Sequence, residues 1–89
     1  MDDVTDSIFS HAYERFRSSL VEVRKSRNLT QVELAARLQR PQSFVSKYER
    51  GERRLDVIEF LEVARALDID PAGFLNDLSS AIPNRKKRP

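Results

Sequence analysis

The stretch Gln31-Val-Glu-Leu-Ala-Ala-Arg-Leu-Gln-Arg-Pro-Gln-Ser-Phe-Val-Ser-Lys-Tyr-Glu-Arg50 decides the fold. Its apolar residues recur three or four positions apart, the period of a helix and not of a strand. Thr30, just ahead of it, and Glu33 have the spacing of a capping box. The Thr30 hydroxyl accepts from the Glu33 N–H, and the Glu33 carboxylate reaches back to the Thr30 N–H. A short helix through Leu38 follows, with Leu34, Ala35 and Leu38 facing inward. Pro41 suits only a first helical turn. A second short helix is therefore expected from about Pro41 or Gln42 to Arg50, with Phe44, Val45 and Tyr48 on its buried side and Gly51 as its C-cap.

Two short helices joined by so tight a turn cross steeply. Their backbones come close at the crossing, which asks for a small residue on the first helix and a compact branched one on the second. Ala35 and Val45 meet those needs. Gln42, Ser43, Ser46, Lys47 and Arg50 then project outward at helical spacing. All are basic or uncharged, and all can donate hydrogen bonds. Glu49 is the single acid on this helix, and its spacing from Val45 and Tyr48 turns it toward the protein.

Upstream, Ile8, Phe9, Ala12, Tyr13, Phe16, Leu20 and Val23 predict one long amphipathic helix over about residues 6–27, with Asp6 or Ser7 as N-cap. Downstream, Asp56 and Glu59 open a helix with the stripe Val57, Ile58, Phe60, Leu61, Val63, Ala64 and Leu67. Asp70-Pro71 is an N-cap followed by a favoured first-position proline. The last helix carries Phe74, Leu75 and Leu78 and ends near Ser79. The expected architecture is all-α: a five-helix bundle with an extended first helix over residues 6–80. A disordered N-terminus (residues 1–5) and a basic mobile tail (residues 81–89) flank it.

A chain of 89 residues has room for one compact domain. With no cysteine and one histidine, His11, it offers neither disulfides nor a ready metal site, and no cofactor is expected. No apolar run approaches the roughly 18 residues of a membrane span. The acidic start Met1-Asp2-Asp3-Val4 lacks the apolar region of a signal peptide. A cytoplasmic, nucleoid-associated location is the expectation. Glu59 and Glu62 share a helix face, but no nucleophile or histidine accompanies them, so an enzyme, or any small-molecule substrate, is not expected.

The net charge of +2 is unevenly spread. Arg85-Lys86-Lys87-Arg88 holds 4 of the 16 basic residues, leaving 12 basic against 14 acidic side chains in residues 1–84. Residues 37–54 carry six basic and two acidic side chains, whereas residues 56–77 carry six acidic and one basic. A domain charged in this way has a preferred side for a polyanion. The basic tail has three readings: a solubilising terminus, a source of sequence-independent phosphate contacts and, last in order, a nuclear-targeting signal.

The pattern Leu29-Thr30-Gln31, Glu33-Leu34-Ala35, Gln42-Ser43-Phe44-Val45-Ser46-Lys47-Tyr48-Glu49, Gly51 and then Phe60-Leu61 resembles the phage repressor/Cro-like, Xre-type helix-turn-helix regulators. The resemblance spans about residues 12–78 and implies a five-helix fold whose third helix reads the major groove of DNA. It implies phosphate binding at Gln31, where a helix N-terminus favours an anion independently. It implies base reading at Gln42 and Ser43 and, one turn later, at Ser46 and Lys47. Gln42 suits adenine, and Lys47 suits guanine O6/N7. Arg53 and Arg54 fall in the loop that tracks the backbone in the family, with Arg40 and Arg50 as further phosphate candidates. Arg24 and Glu49 match a pair that forms a buried ion bridge in some members. The family implies a homodimer on a palindromic operator and a transcriptional regulator, most often a repressor. A protein-interaction adaptor or antitoxin-type module is the alternative. One departure stands out: Gln39 occupies a turn position usually held by glycine, so a slightly altered turn is expected.

Overall fold

A computed structural model describes the backbone of residues 3–82 and the side chains from Phe9 to Ile82. The described residues form five α-helices and no strand: α1 (Asp3–Ser26), α2 (Gln31–Leu38), α3 (Gln42–Arg50), α4 (Val57–Leu67) and α5 (Pro71–Ser79). The run Arg85–Arg88 lies outside the described residues, as do Met1 and Asp2.

Local chemistry sets most helix ends. Thr30 and Glu33 form the capping box of α2, with Glu33 N–H donating to the Thr30 hydroxyl at 3.0 Å and Thr30 N–H to the Glu33 carboxylate at 2.8 Å. Asp56 and Glu59 repeat the device on α4 at 2.7 and 3.0 Å. Asp70 caps α5 by accepting from the Gly73 N–H at 3.1 Å, with Pro71 in the first turn. Pro41 precedes α3 in an extended conformation and gives no side-chain cap. Gly51 ends α3 at φ 84°, a region that disfavours side chains. Helix α1 begins at Asp3, ahead of the expected Asp6 or Ser7.

The turn between α2 and α3 departs from expectation. Gln39 takes the left-handed conformation (φ 58°, ψ 42°) that glycine adopts freely, so the turn is not altered. The strain, on the order of 1 kcal/mol, is offset locally. The Gln39 and Arg40 N–H groups each donate at 3.1 Å, to the Ala36 and Ala35 carbonyls respectively.

Helix α2 packs on α3 and α4, α1 packs on α3 and α5, and α4 packs on α5. The core is Phe16 and Leu20 of α1, Leu34 and Ala35 of α2, Phe44, Val45 and Tyr48 of α3, and Phe60, Val63, Ala64 and Leu67 of α4. Emptying a fully buried site, as in Leu34→Ala or Leu67→Ala, costs about 2–5 kcal/mol. Phe16, Phe60 and Phe74 stack mutually with centroids 5.4–6.0 Å apart, joining α1, α4 and α5. The apolar stripe expected on α4 is only half buried. Val57, Ile58 and Leu61 stay exposed, as does Leu75 on α5. A helix buries one stripe against its neighbours, and on α4 that stripe is Phe60, Val63, Ala64 and Leu67.

Candidate nucleic-acid interface

Burial of Phe44, Val45 and Tyr48 fixes the rotation of α3. Gln42, Ser43, Lys47 and Arg50 consequently lie exposed, with Ser46 half-buried between them. Ser46 Oγ donates back to the Ser43 carbonyl at 3.3 Å. The N-terminal end of this face is held from behind by a chain of hydrogen bonds. Arg24 on α1 donates through Nε and Nη2 to the two oxygens of Glu49 at 2.7 and 3.0 Å. The same Glu49 Oε1 accepts from Gln31 Nε2 at 2.8 Å. Gln31 Oε1 in turn accepts from Gln42 Nε2 at 2.9 Å. Arg24 and Glu49 are both buried, and Arg24 also donates to the Leu29 carbonyl at 2.8 Å. The hydrogen bond to Glu49 holds the Arg24 guanidinium above its ordinary pKa despite its burial. Gln31, expected only as a phosphate ligand, is thus also the link between a buried carboxylate and the first residue of α3.

Eight basic side chains besides Arg24 fall into three groups. One group caps helix ends. Arg17 Nη1 donates to the Glu49 carbonyl at 2.6 Å. Arg27 donates to the Leu67 and Asp68 carbonyls at 2.8 and 3.1 Å, and Arg37 to the Ala66 carbonyl at 3.0 Å. Carbonyls at a helix C-terminus lack intrahelical partners and carry partial negative charge, so cations suit them. Nothing in the local sequence marks Arg17 or Arg27 for a role, and Arg37 counts there only as part of the basic segment. The contacts span 29 to 41 residues in the chain and leave no local signal.

The second group, expected to meet phosphate, is ion-paired within the chain. Arg40 pairs with Glu62 at 3.0 Å, Arg50 with Glu52 at 2.9 Å and Arg53 with Glu59 at 2.7 Å. Arg53 and the Asp56 N–H together hold the Glu59 carboxyl down to about 2. Arg50 likewise lowers Glu52. The third group is cationic and unpaired. Among the described residues, Lys47 and Arg54 form no ion pair. The Arg54 guanidinium lies 4.1 Å from the Tyr13 ring centroid. The Tyr13 hydroxyl accepts from the Leu55 N–H at 3.1 Å, which ties the loop after α3 to α1.

Two short helices crossing at a tight turn, the second with a polar, donor-rich outer face, define a helix-turn-helix protein. A helix-turn-helix family model, HTH_3, matches residues 20–74, and the chain belongs to that Xre-type family. It is similar to the solved structure of an XRE-family like protein from Pseudomonas syringae pv. tomato str. DC3000. The two are 46% identical with a TM-score of 0.88, over 92% of this chain and 100% of that one. No curated protein matches the chain. Among the described residues, no helix is long and apolar enough to cross a membrane.

Proposed function

We propose that this chain is a sequence-specific DNA-binding transcriptional regulator, acting as a repressor, that inserts α3 into the major groove. The observation that carries the reading is the hydrogen-bonded chain Arg24–Glu49–Gln31–Gln42. It orients one amide at the exposed start of α3. Gln42 uses one N–H on Gln31 and keeps its other N–H and its carbonyl oxygen. Those two groups match adenine, which presents the N7 acceptor beside the N6 donor. Pre-orienting the side chain lowers the entropy lost on binding. Lys47, one turn along and unpaired, is placed to donate to guanine. Ser43 and Ser46 contact neighbouring base edges. Gln31, Arg40, Arg50 and Arg54 contact phosphate, and Arg53 lends its charge to the same backbone without leaving Glu59.

A palindromic operator and a homodimer complete the proposal. Phe9, Val57 and Leu75 are exposed and line one apolar groove between α1, α4 and α5. Apolar surface gathered in one place favours self-association. The same groove is the observation in favour of a second reading, a protein-interaction adaptor. A salt titration with duplex DNA separates the two. Phosphate-driven binding weakens linearly in log–log form, with a slope near −0.9 per neutralised phosphate. An adaptor gives no duplex binding to titrate.

A further inference from the structure

We propose that Glu62 is an intramolecular competitor for Arg40, and that it sets DNA affinity below what the basic face alone would give. The proposal rests on the DNA-binding reading above. Arg40 follows the strained Gln39 in the turn before α3. Its guanidinium carbon lies 4.4 Å from the centroid of Phe44, and that of Arg53 lies 4.9 Å from the same ring. Two cations therefore flank one aromatic side chain of α3, and each is tethered to an acid of α4.

The two tethers differ. Arg53 reaches both oxygens of Glu59, at 2.9 and 2.7 Å, and the Glu59 side chain is 12% exposed and committed to its capping box. Arg40 places Nε and Nη2 on a single oxygen of Glu62, at 3.3 and 3.0 Å. The Glu62 side chain is 45% exposed, and its other oxygen takes no hydrogen bond among the described residues. An exposed, single-oxygen pair contributes little and is screened by salt. A DNA phosphate offers Arg40 a charge-assisted bond plus the release of condensed counterions. Arg40 thus exchanges Glu62 for phosphate on binding and can keep its stack on Phe44. Arg53 stays on Glu59. Each binding event must first break the Arg40–Glu62 pair.

The test is a double-mutant cycle on the full chain, read as anisotropy of one selected duplex over a range of salt. Glu62→Gln is expected to tighten binding roughly two- to five-fold. Arg40→Gln is expected to weaken it and to flatten the salt slope by about 0.9. In the Arg40→Gln background, Glu62→Gln should add nothing. Tightening of equal size in both backgrounds would mean that Glu62 merely repels the DNA, and would overturn the competitor role. So would an Arg40→Gln protein with unchanged slope. Glu62→Ala should behave as Glu62→Gln, and melts of every variant should match the parent. If the unaltered protein binds with a steep salt slope but the cycle shows no coupling, only the competitor role falls. If it binds no duplex, the DNA-binding reading falls first and takes this one with it.

Discussion

Arg24 and Glu49, 25 residues apart on α1 and α3, form a two-pronged ion pair with side chains only 10% and 5% exposed. The pair joins the scaffold to the helix that carries the candidate site. Taking both charges from water is expensive, and the two short bonds together with Gln31 and the Leu29 carbonyl repay it. Arg24→Ala leaves the Glu49 carboxylate buried without a counter-charge. Urea unfolding should show a loss of about 3 kcal/mol. Replacing both partners, as Arg24→Met with Glu49→Leu, should recover most of it, because no uncompensated charge remains. Equal losses in the single and double variants would contradict this account of the pair.

Gln31→Ala should act on DNA recognition through Gln42. If Gln31 orients the Gln42 amide, each single alanine variant should lose about 1–3 kcal/mol at the same base position, and the double variant should lose little more than either alone. Additive losses at different base positions would separate the two residues.

Below neutrality the Glu59 carboxyl governs part of the stability. Its folded pKa of about 2 lies below its ordinary 4.5, so the unfolded chain takes up this proton first as pH falls. The stabilisation is fully present above the unfolded value and is lost as pH drops from about 4.5 toward 2. Thermal melts of Glu59→Gln should be lower than the parent near neutrality, and the gap should close across that acid window. A gap that stays constant down to the lower limit would place the effect in the cap geometry and not in the charge.

Tyr48 carries the one buried side-chain polar atom that lacks a hydrogen-bond partner among the described residues, its phenolic oxygen. Burial pushes this phenol far above its ordinary pKa. Its ring fills the core, but its hydroxyl is desolvated with no return. Tyr48→Phe keeps the ring and removes the orphan, so the melting temperature should hold or rise. A fall of several degrees would reveal a partner for that hydroxyl.

How much of this was legible in the sequence follows from the range of each interaction. Helix starts at Thr30, Asp56 and Asp70 were readable because a cap and the N–H that donates to it lie within three residues. The outward set Gln42, Ser43, Lys47 and Arg50 was readable because burial of Phe44, Val45 and Tyr48 fixes the phase of one helix. Gln39 misled, since its side chain signals strain while the carbonyls that satisfy the turn belong to the backbone. The arginines were the least legible. Composition marks residues 37–54 as basic, yet long side chains choose partners up to 41 residues away. Capping and ion pairing therefore remove Arg37, Arg40, Arg50 and Arg53 from the freely available charge. The exposure of Val57, Ile58 and Leu61 was hidden for a related reason: an apolar run shows that a helix is amphipathic without showing how wide its neighbours are.

The central claim is that the outer face of α3 reads bases. The direct measurement is selection of bound sequences from a pool of random duplexes at low ionic strength, run in parallel for the unaltered protein and Lys47→Ala. The account predicts that the unaltered protein enriches a two-fold symmetric motif and that Lys47→Ala relaxes one position in each half-site, with affinity reduced by about 1–3 kcal/mol. No enrichment by the unaltered protein, or the same motif at the same affinity from both, would contradict it.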